Sequence, residues 1–135
     1  FYAPSAQAAF TADSLMALGC GRLFEGTPQQ MHASLRKMDA WPDGTLICSG
    51  HEYTAANARF ALNVDPDNAA LRSRSAQIDA ARTAGRFTVP STLGLERATN
   101  PFLRSDDPAL RAQLGLQNAT DEQVFAETRA RKDRF

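Results

Sequence analysis

Two polar residues, Asp13 and His51, directly follow short apolar segments that the sequence pattern predicts as strands. The loop after a strand often presents catalytic side chains, because the sheet holds it in place. A carboxylate can bridge two cations, and a neutral imidazole is a strong ligand for zinc, iron or nickel. The residue types alone leave a second interpretation open. Asp13 would then be a turn or helix cap, and His51 a hydrogen-bonded structural residue.

Strands and one helix alternate in the first part of the chain. The apolar segment 8–12 predicts a buried strand that leads to Asp13, and 45–48 predicts a second strand that leads to His51. Between them, Gly19-Cys20-Gly21 predicts a tight loop where the backbone needs unusual dihedral angles or close approach. A capped helix is predicted to begin at residues 27–30.

The other histidine, His32, lies in this helix beside Met31 and has no ligand-like neighbour. Met31, Leu35 and Met38 have helical spacing and predict the apolar face of the helix. We therefore predict that His32 lies on the solvated surface.

From Thr54 onward the pattern changes to helices, so we predict a boundary between a sheet-based domain at 1–53 and a helical domain at 54–135. Four helices are predicted there, over 54–64, after an Asp65-Pro66 cap with Gly85 as its stop, after Asp107-Pro108, and after a capping box that begins at Thr120. The segment 87–103 contains two prolines and a glycine without a sustained period. It predicts an ordered connector with at most a short strand.

Composition excludes several classes of function. Hydrophobic residues at 43% and charged residues at 22% are typical of a globular domain. The formal net charge of zero argues against a nucleic-acid or anionic-membrane binder. No apolar run reaches the roughly 18 residues of a membrane span. We expect two reduced thiols at Cys20 and Cys48, and the start at Phe1 without a Met or a signal sequence leads us to expect a fragment.

Several strings of the sequence resemble the second half of the glyoxalase II family, within the metallo-β-lactamase superfamily. The Gly-Cys-Gly-Arg string and the basic C-terminal motif are specific to that family, whereas the Asp and the Gly-His pair occur throughout the superfamily. The resemblance covers nearly the whole chain and is carried by residues 13–15, 19–27, 48–54, 95–102 and 129–135.

The resemblance implies a fold and a metal site. The fold class would be α/β, with the C-terminal part of an αββα sandwich followed by a helical, glutathione-binding C-terminal domain. Asp13 would bridge two divalent metal ions and His51 would bind one of them, so both would be catalytic. Zinc is the first expectation, with iron or manganese as alternatives.

The resemblance also implies a set of substrate contacts. Arg22 and Tyr53 match residues that meet the glutathione part of the substrate. Arg129 and Lys132 match a basic pair that contacts its glycyl carboxylate, and a cation is the natural partner for that group. Without the resemblance, the last helix reads as a solvated, salt-bridged surface.

The sequence departs from the family pattern at several positions. Ala12 replaces the usual Gly before the bridging Asp, which would strain the turn if that position needs a positive φ. Ser14 replaces Thr. Phe24 stands at a substrate-binding position where some members have Tyr, so a hydroxyl contact is lost. The histidine-rich motif that supplies most of the metal ligands is not among these residues.

The implied activity is hydrolysis of an S-(2-hydroxyacyl)glutathione thioester, such as S-lactoylglutathione, to the 2-hydroxy acid and glutathione. We expect this to be the activity of a longer, cytoplasmic, monomeric parent protein, and this chain alone to be inactive, because catalytic zinc needs at least three protein ligands. Neither nucleic acid nor membrane is an expected partner. The alternatives are another hydrolase of the superfamily, a persulfide dioxygenase, or a non-catalytic helical binding fragment.

Overall fold

A computed structural model describes residues 1–135, in which a small sheet packs against helices in a mixed α/β fold. The four strands are paired in the order β1-β2-β3-β4, and their bounds are Tyr2–Ala3 for β1, Ala8–Ala12 for β2, Leu46–Ser49 for β3 and Ser91–Thr92 for β4. The six helices are α1 Pro28–Arg36, α2 Thr54–Val64, α3 Ala69–Thr83, α4 Leu93–Thr99, α5 Pro108–Leu114 and α6 Asp121–Arg134.

The two central strands, β2 and β3, are parallel, and the short outer strands pair with them antiparallel. A parallel pair needs a crossover connection, which α1 provides here. The carboxyl ends of β2 and β3 therefore lie at the same edge of the sheet. This topology brings the residues after β2 and after β3 together.

One face of the sheet is buried and the other is open. Ala9 and Ile47 point into the main core, where they join Leu35, Leu93 and Phe102. On the opposite face, Phe10 is 56% exposed and Leu46 41% exposed. A second cluster, between α2, α3 and the loop after β2, contains Leu18, Ala58, Ala61, Leu71 and Ile78.

Local capping chemistry explains most helix starts. Both predicted capping boxes are present, at Thr27 with Gln30 and at Thr120 with Gln123. Asp107 caps α5 and Gly115 ends it in the left-handed conformation, as predicted. The two cysteines are free thiols, in agreement with the sequence-based expectation. None of the helices is long and apolar enough to cross a lipid bilayer.

The predicted cap of α3 was wrong. Asp65 still belongs to the last turn of α2, since its N–H donates to the carbonyl of Ala61. The cap is Asn68, whose side chain accepts a hydrogen bond from the N–H of Leu71. The Asp65 carboxylate instead contacts Arg104 and Asn68.

The segment 87–103 was also predicted incorrectly, because it contains α4 and a 3-10 turn in addition to the short strand β4. Pro90 and Pro101 lie on either side of α4 and do not interrupt it. Gly94 lies in its first turn, where Asp43 approaches so closely that a Cβ would be 2.9 Å from the Asp43 Cβ. The glycine therefore reflects packing and not a break in the helix.

His32 is the third correction. Its side chain is buried, at 6% exposure, and its ring lies 5.4 Å from that of Phe125 on α6. The inward face of α1 contains His32 and Leu35, which are three residues apart. The prediction failed because α6, which covers His32, is far away in the sequence.

Candidate functional site

Asp13 and His51 meet at the edge of the sheet where β2 and β3 end. Nδ1 of His51 is 2.9 Å from Oδ1 of Asp13. Both side chains are about half exposed, at 64% for Asp13 and 48% for His51. The N–H of Gly50 donates to the carbonyl of Ala12 at 3.2 Å, which joins the two strand ends just before the candidate residues.

The backbone turns sharply at Ala12, immediately before Asp13. Ala12 has a φ of +44°, and the pairing of β2 with β3 is irregular between Phe10 and Ala12. A left-handed conformation costs an L-residue roughly 1–2 kcal/mol. This position does need a positive φ, so the strain that the sequence suggested for Ala12 is present.

The segment 13–21, which we call the Asp13 loop, folds back on itself at close range. A Cβ on Gly21 would be 2.3 Å from the backbone oxygen of Asp13, so no larger residue fits without a shift of the backbone. A Cβ on Gly19 would be 2.7 Å from the side-chain amide of Asn57. Neither glycine has a positive φ. The close approach predicted for Gly19-Cys20-Gly21 is therefore confirmed, and it explains both glycines.

Side chains from the helices hold the backbone of the Asp13 loop by buried hydrogen bonds. Polar backbone groups that are buried need such partners, and here amide, carboxylate and guanidinium groups supply them. The bonds join Asn57 to the Ala17 carbonyl at 3.0 Å, Glu96 to the Leu18 N–H at 2.9 Å, Asn100 to the Met16 and Gly19 carbonyls at 3.1 and 3.2 Å, and Arg129 to the Cys20 and Gly21 carbonyls at 2.6 and 3.3 Å.

Glu96 is the centre of this buried network and is fully inaccessible to solvent. Its carboxylate accepts hydrogen bonds from Arg74 at 2.5 Å and Ser91 at 2.6 Å, in addition to those from Asn100 and Leu18. The ion pair with Arg74 compensates the buried charge. The sequence pattern does not single out Glu96, because its partners come from several distant segments.

Arg22, Phe24 and Tyr53, which we call the rim, are much less restrained. Phe24 is 89% exposed and Tyr53 52% exposed. The Tyr53 ring stacks on that of His51 at a centroid distance of 4.9 Å, with the planes 1° apart. Arg22 forms an ion pair with Asp133, at 3.8 Å, and its side chain is 66% exposed.

Lys132 lies on α6 with its ammonium group over the rings of Phe60 and Phe135, 5.1 and 5.8 Å from their centroids. Partial burial holds the pKa of Lys132 below its ordinary value, and repulsion from Arg129, Arg59 and Arg22 lowers that pKa further. The cations therefore face a common region. An anion there would relieve their repulsion.

Arg129, one turn earlier on α6, is buried and already has protein partners. Besides the two loop carbonyls, its guanidinium donates to Asp133 at 2.8 Å, and only Nε has no partner. Burial raises the pKa of the neighbouring Cys20 thiol to about 11, although the Arg129 charge opposes that rise.

All the residues that the sequence suggested for the site border one cavity of about 390 Å³. Two further residues, Met16 and Gly21, complete its lining. Met16 was missed because an apolar residue gives no chemical signal. Its lining combines Asp13 and His51 with the cationic group of α6 and the rim, and Tyr53 of the rim stacks on His51. This arrangement can hold a cation beside a bound anion.

The donor set of Asp13 and His51 fits part of a zinc site. One imidazole nitrogen and one carboxylate oxygen are ordinary zinc ligands, and their 2.9 Å separation lets both contact one cation. The chain has no group of three or more His, Cys, Asp or Glu side chains that could hold a metal. A catalytic zinc site built on these two residues would therefore need further ligands from outside the chain.

A family model and several curated proteins that resemble this chain share one name. Residues 52–135 match the family model described as hydroxyacylglutathione hydrolase C-terminus. Proteins named hydroxyacylglutathione hydrolase from Ruegeria pomeroyi, Roseobacter denitrificans and Jannaschia sp. are 67%, 65% and 62% identical over all 135 residues. Those residues correspond to 53% of each relative. The chain thus spans about half the length of the curated relatives that it matches.

Proposed function

Because the chain belongs to the hydroxyacylglutathione hydrolase family, we propose that the full-length protein hydrolyses glutathione thioesters of 2-hydroxy acids, such as S-lactoylglutathione. The products would be the 2-hydroxy acid and glutathione. The observation that carries this proposal is that one cavity is bordered both by Asp13 and His51 and by basic and aromatic residues.

Asp13 and His51 would hold part of a pair of divalent metal ions, with zinc as the first candidate and iron or manganese as alternatives. Such ions, when bound, supply Lewis-acid chemistry that makes water nucleophilic near neutral pH and polarises a carbonyl group. Asp13 has two carboxylate oxygens and would fix the spacing of the pair. The structure supports this role because buried hydrogen bonds hold the loop that carries Asp13.

The basic and aromatic residues of the cavity would bind the glutathione part of the substrate. Glutathione has carboxylates at both ends, and the cations Arg22 and Lys132 are suited to them. Tyr53 and Phe24 offer exposed rings to the peptide. We keep Arg129 in this group, acting through its charge, since the Nε atom is its only donor without a protein partner.

We also propose the domain arrangement of the full-length protein. Residues 1–53 would complete an αββα sandwich of the metallo-β-lactamase type, and 54–135 would form the glutathione-binding domain. The open apolar face at Phe10 and Leu46 supports this arrangement, because a second sheet packed at about 10 Å would cover it. The two parts must pack closely, since β4 from the second part pairs with β3.

The direct test is an assay of the full-length protein with S-lactoylglutathione, together with measurement of its bound metal. Replacement of Asp13 by Ala should remove metal and lower kcat by about three powers of ten, since metal catalysis contributes several kcal/mol. Ser14→Ala is a matched control at an exposed neighbour in the same loop. Full metal content and activity in Asp13→Ala would disprove the proposed role.

The same preparation separates the alternatives. Oxygen consumption with glutathione persulfide, in the absence of thioester cleavage, would indicate a persulfide dioxygenase. The isolated chain of residues 1–135 should bind neither metal stably nor turn over the thioester, because its ligand set is incomplete. We also propose a cytoplasmic, monomeric protein, which fractionation of the source cells and light scattering would check.

A further inference from the structure

Glu52 lies between His51 and Tyr53, but its carboxylate is bound on the other side of the loop and does not border the cavity. It accepts hydrogen bonds from the Thr88 N–H at 2.5 Å, the Thr88 hydroxyl at 2.7 Å and the Thr54 hydroxyl at 2.9 Å. Arg82 on α3 lies 3.7 Å away. These contacts join the end of the sheet to the segment between α3 and β4.

The side chains on either side of Glu52 have few other partners, of which the Asp13 carboxylate, 2.9 Å from Nδ1 of His51, is one. His51 is 48% exposed and Tyr53 is 52% exposed. Their rings contact each other as a parallel stack. Tyr53 precedes α2 but makes no side-chain cap to it. The direction in which both rings point therefore depends on the backbone between them, in addition to the Asp13 contact of His51.

A carboxylate is well suited to fix this backbone. It is an acceptor at both oxygens and here meets only donors, from Thr88, Thr54 and Arg82. Hydrogen bonds to a charged group are shorter and roughly twice as strong as neutral ones. A glutamine of the same shape would place its amide donors against the Thr88 N–H or hydroxyl.

We propose that Glu52, docked on Thr88, is a positioning residue that orients His51 and Tyr53 together toward the cavity. The inference rests on the proposed function, in which His51 binds metal and Tyr53 meets the substrate. One anchor would then control the metal ligand and the substrate contact at once. Outer partners that orient a metal ligand typically change metal affinity or activity by about 10- to 100-fold when they are removed.

The experiment compares variants of the full-length protein loaded with Co(II). Glu52→Gln replaces one carboxylate oxygen, an acceptor, with an amide NH2 donor. Thr88→Val removes the hydrogen bond from the Thr88 hydroxyl with almost no change in volume. Thr88→Ser keeps both donors and is the rescue variant. Thr83→Val is the matched control, because Thr83 is exposed at the end of α3 and its side chain makes no hydrogen bond to the protein.

We expect Glu52→Gln to weaken Co(II) binding and raise KM, each by about 10- to 100-fold. Its Co(II) absorption spectrum should shift, because the orientation of His51 changes. Thr88→Val should change the same quantities in the same direction by a smaller factor. Thr88→Ser and Thr83→Val should resemble wild type in all of them.

Wild-type metal affinity, spectrum and KM in both Glu52→Gln and Thr88→Val would overturn the inference, even if their melting temperatures fell. If Glu52→Gln does not fold, Thr88→Val alone decides. A wild-type protein that binds no metal and leaves the thioester intact would overturn the proposed function and this inference with it. If wild type is active but Glu52→Gln and Thr88→Val match it in metal affinity, spectrum and KM, only the inference is overturned.

Discussion

The Asp13 loop and the rim border the same cavity, but they are held in different ways. Side chains from α2, α4 and α6 bind the loop backbone through buried hydrogen bonds. The rim residues Arg22, Phe24 and Tyr53 extend into solvent with few partners. A metal ligand needs a fixed position, whereas a peptide-like substrate can be met by side chains that adjust.

This difference implies that substitutions in the Asp13 loop network and at the rim should have different consequences. Changes in the network that holds the loop should appear first as lost stability. Changes at the rim or on the cavity face of α6 should appear as weaker substrate binding in a protein of nearly normal stability. Substitutions at Glu96, Cys20, Lys132 and Ala12 test that division, in order of decreasing expected effect.

Glu96→Gln should destabilise the full-length protein by about 3–5 kcal/mol, because it leaves the buried Arg74 without its counter-charge. Denaturant unfolding measures this loss. Glu127→Gln is the control. It weakens a half-buried surface ion pair with Arg131 that stays in contact with solvent, and should cost about 1 kcal/mol or less. Equal effects of the two substitutions would contradict the special role of the loop network.

The Cys20 thiol lies in the Asp13 loop and should make the free energy of unfolding depend on pH in the alkaline range. Burial raises its pKa from 9.0 to about 11, so between these values the unfolded state loses the proton while the folded state keeps it. The unfolded state therefore becomes more stable relative to the folded state as the pH rises. Stability should fall by about 2–3 kcal/mol from this group between pH 9 and 11.

Unfolding curves of wild type and Cys20→Ala over that pH range isolate this contribution. The variant should lose less stability than wild type, since it has no thiol at this site. Cys48→Ala, at the half-buried free cysteine, is the control. Parallel curves for wild type and Cys20→Ala would show that the thiol does not titrate as expected.

Lys132→Ala tests the recognition end of the cavity. If Lys132 contacts the glycyl carboxylate, the variant should keep its metal and mainly raise KM. The expected loss is about 1.5–3 kcal/mol, or roughly one to two powers of ten in kcat/KM. A thioester that lacks this carboxylate should be cleaved equally by variant and wild type. Wild-type kinetics with both substrates would remove α6 from the binding site.

Most elements predicted from local capping chemistry agree with the structure, although the Asp65-Pro66 cap does not. Both capping boxes, with donor and acceptor three residues apart, were predicted correctly. The strand 8–12 and the helix 54–64 have the predicted bounds. By contrast, α4 was missed because flanking prolines were interpreted as breaks in a connector.

The candidate site shows the same division. Asp13 and His51 stand out in the sequence because each follows a strand, and the parallel pairing of β2 and β3 brings them together. The groups that hold the Asp13 loop, such as Asn57 and Asn100, gave no signal, because their partners lie 40 to 84 residues away. Long-range hydrogen bonding of this kind follows from the fold and cannot be read from spacing.

The smallest expected effect concerns Ala12, the residue that begins the turn into the Asp13 loop. Its φ of +44° is strained for alanine, and glycine would remove that strain of roughly 1–2 kcal/mol. Glycine also gives the unfolded chain more freedom, which offsets about 0.4–1 kcal/mol. Ala12→Gly should therefore stabilise the full-length protein by about 1 kcal/mol or slightly less, as measured by denaturant unfolding.

Ala8→Gly is the control for this last prediction, because Ala8 lies in the same strand without a positive φ. It should destabilise the protein, since Ala8 has no backbone strain for glycine to relieve and a buried methyl group is lost. If Ala12→Gly stabilises the protein and Ala8→Gly destabilises it, the backbone at Ala12, just before the Asp13 loop, is strained. If Ala12→Gly also destabilises the protein, the turn is not strained, and the rigidity of the loop comes from its hydrogen bonds alone.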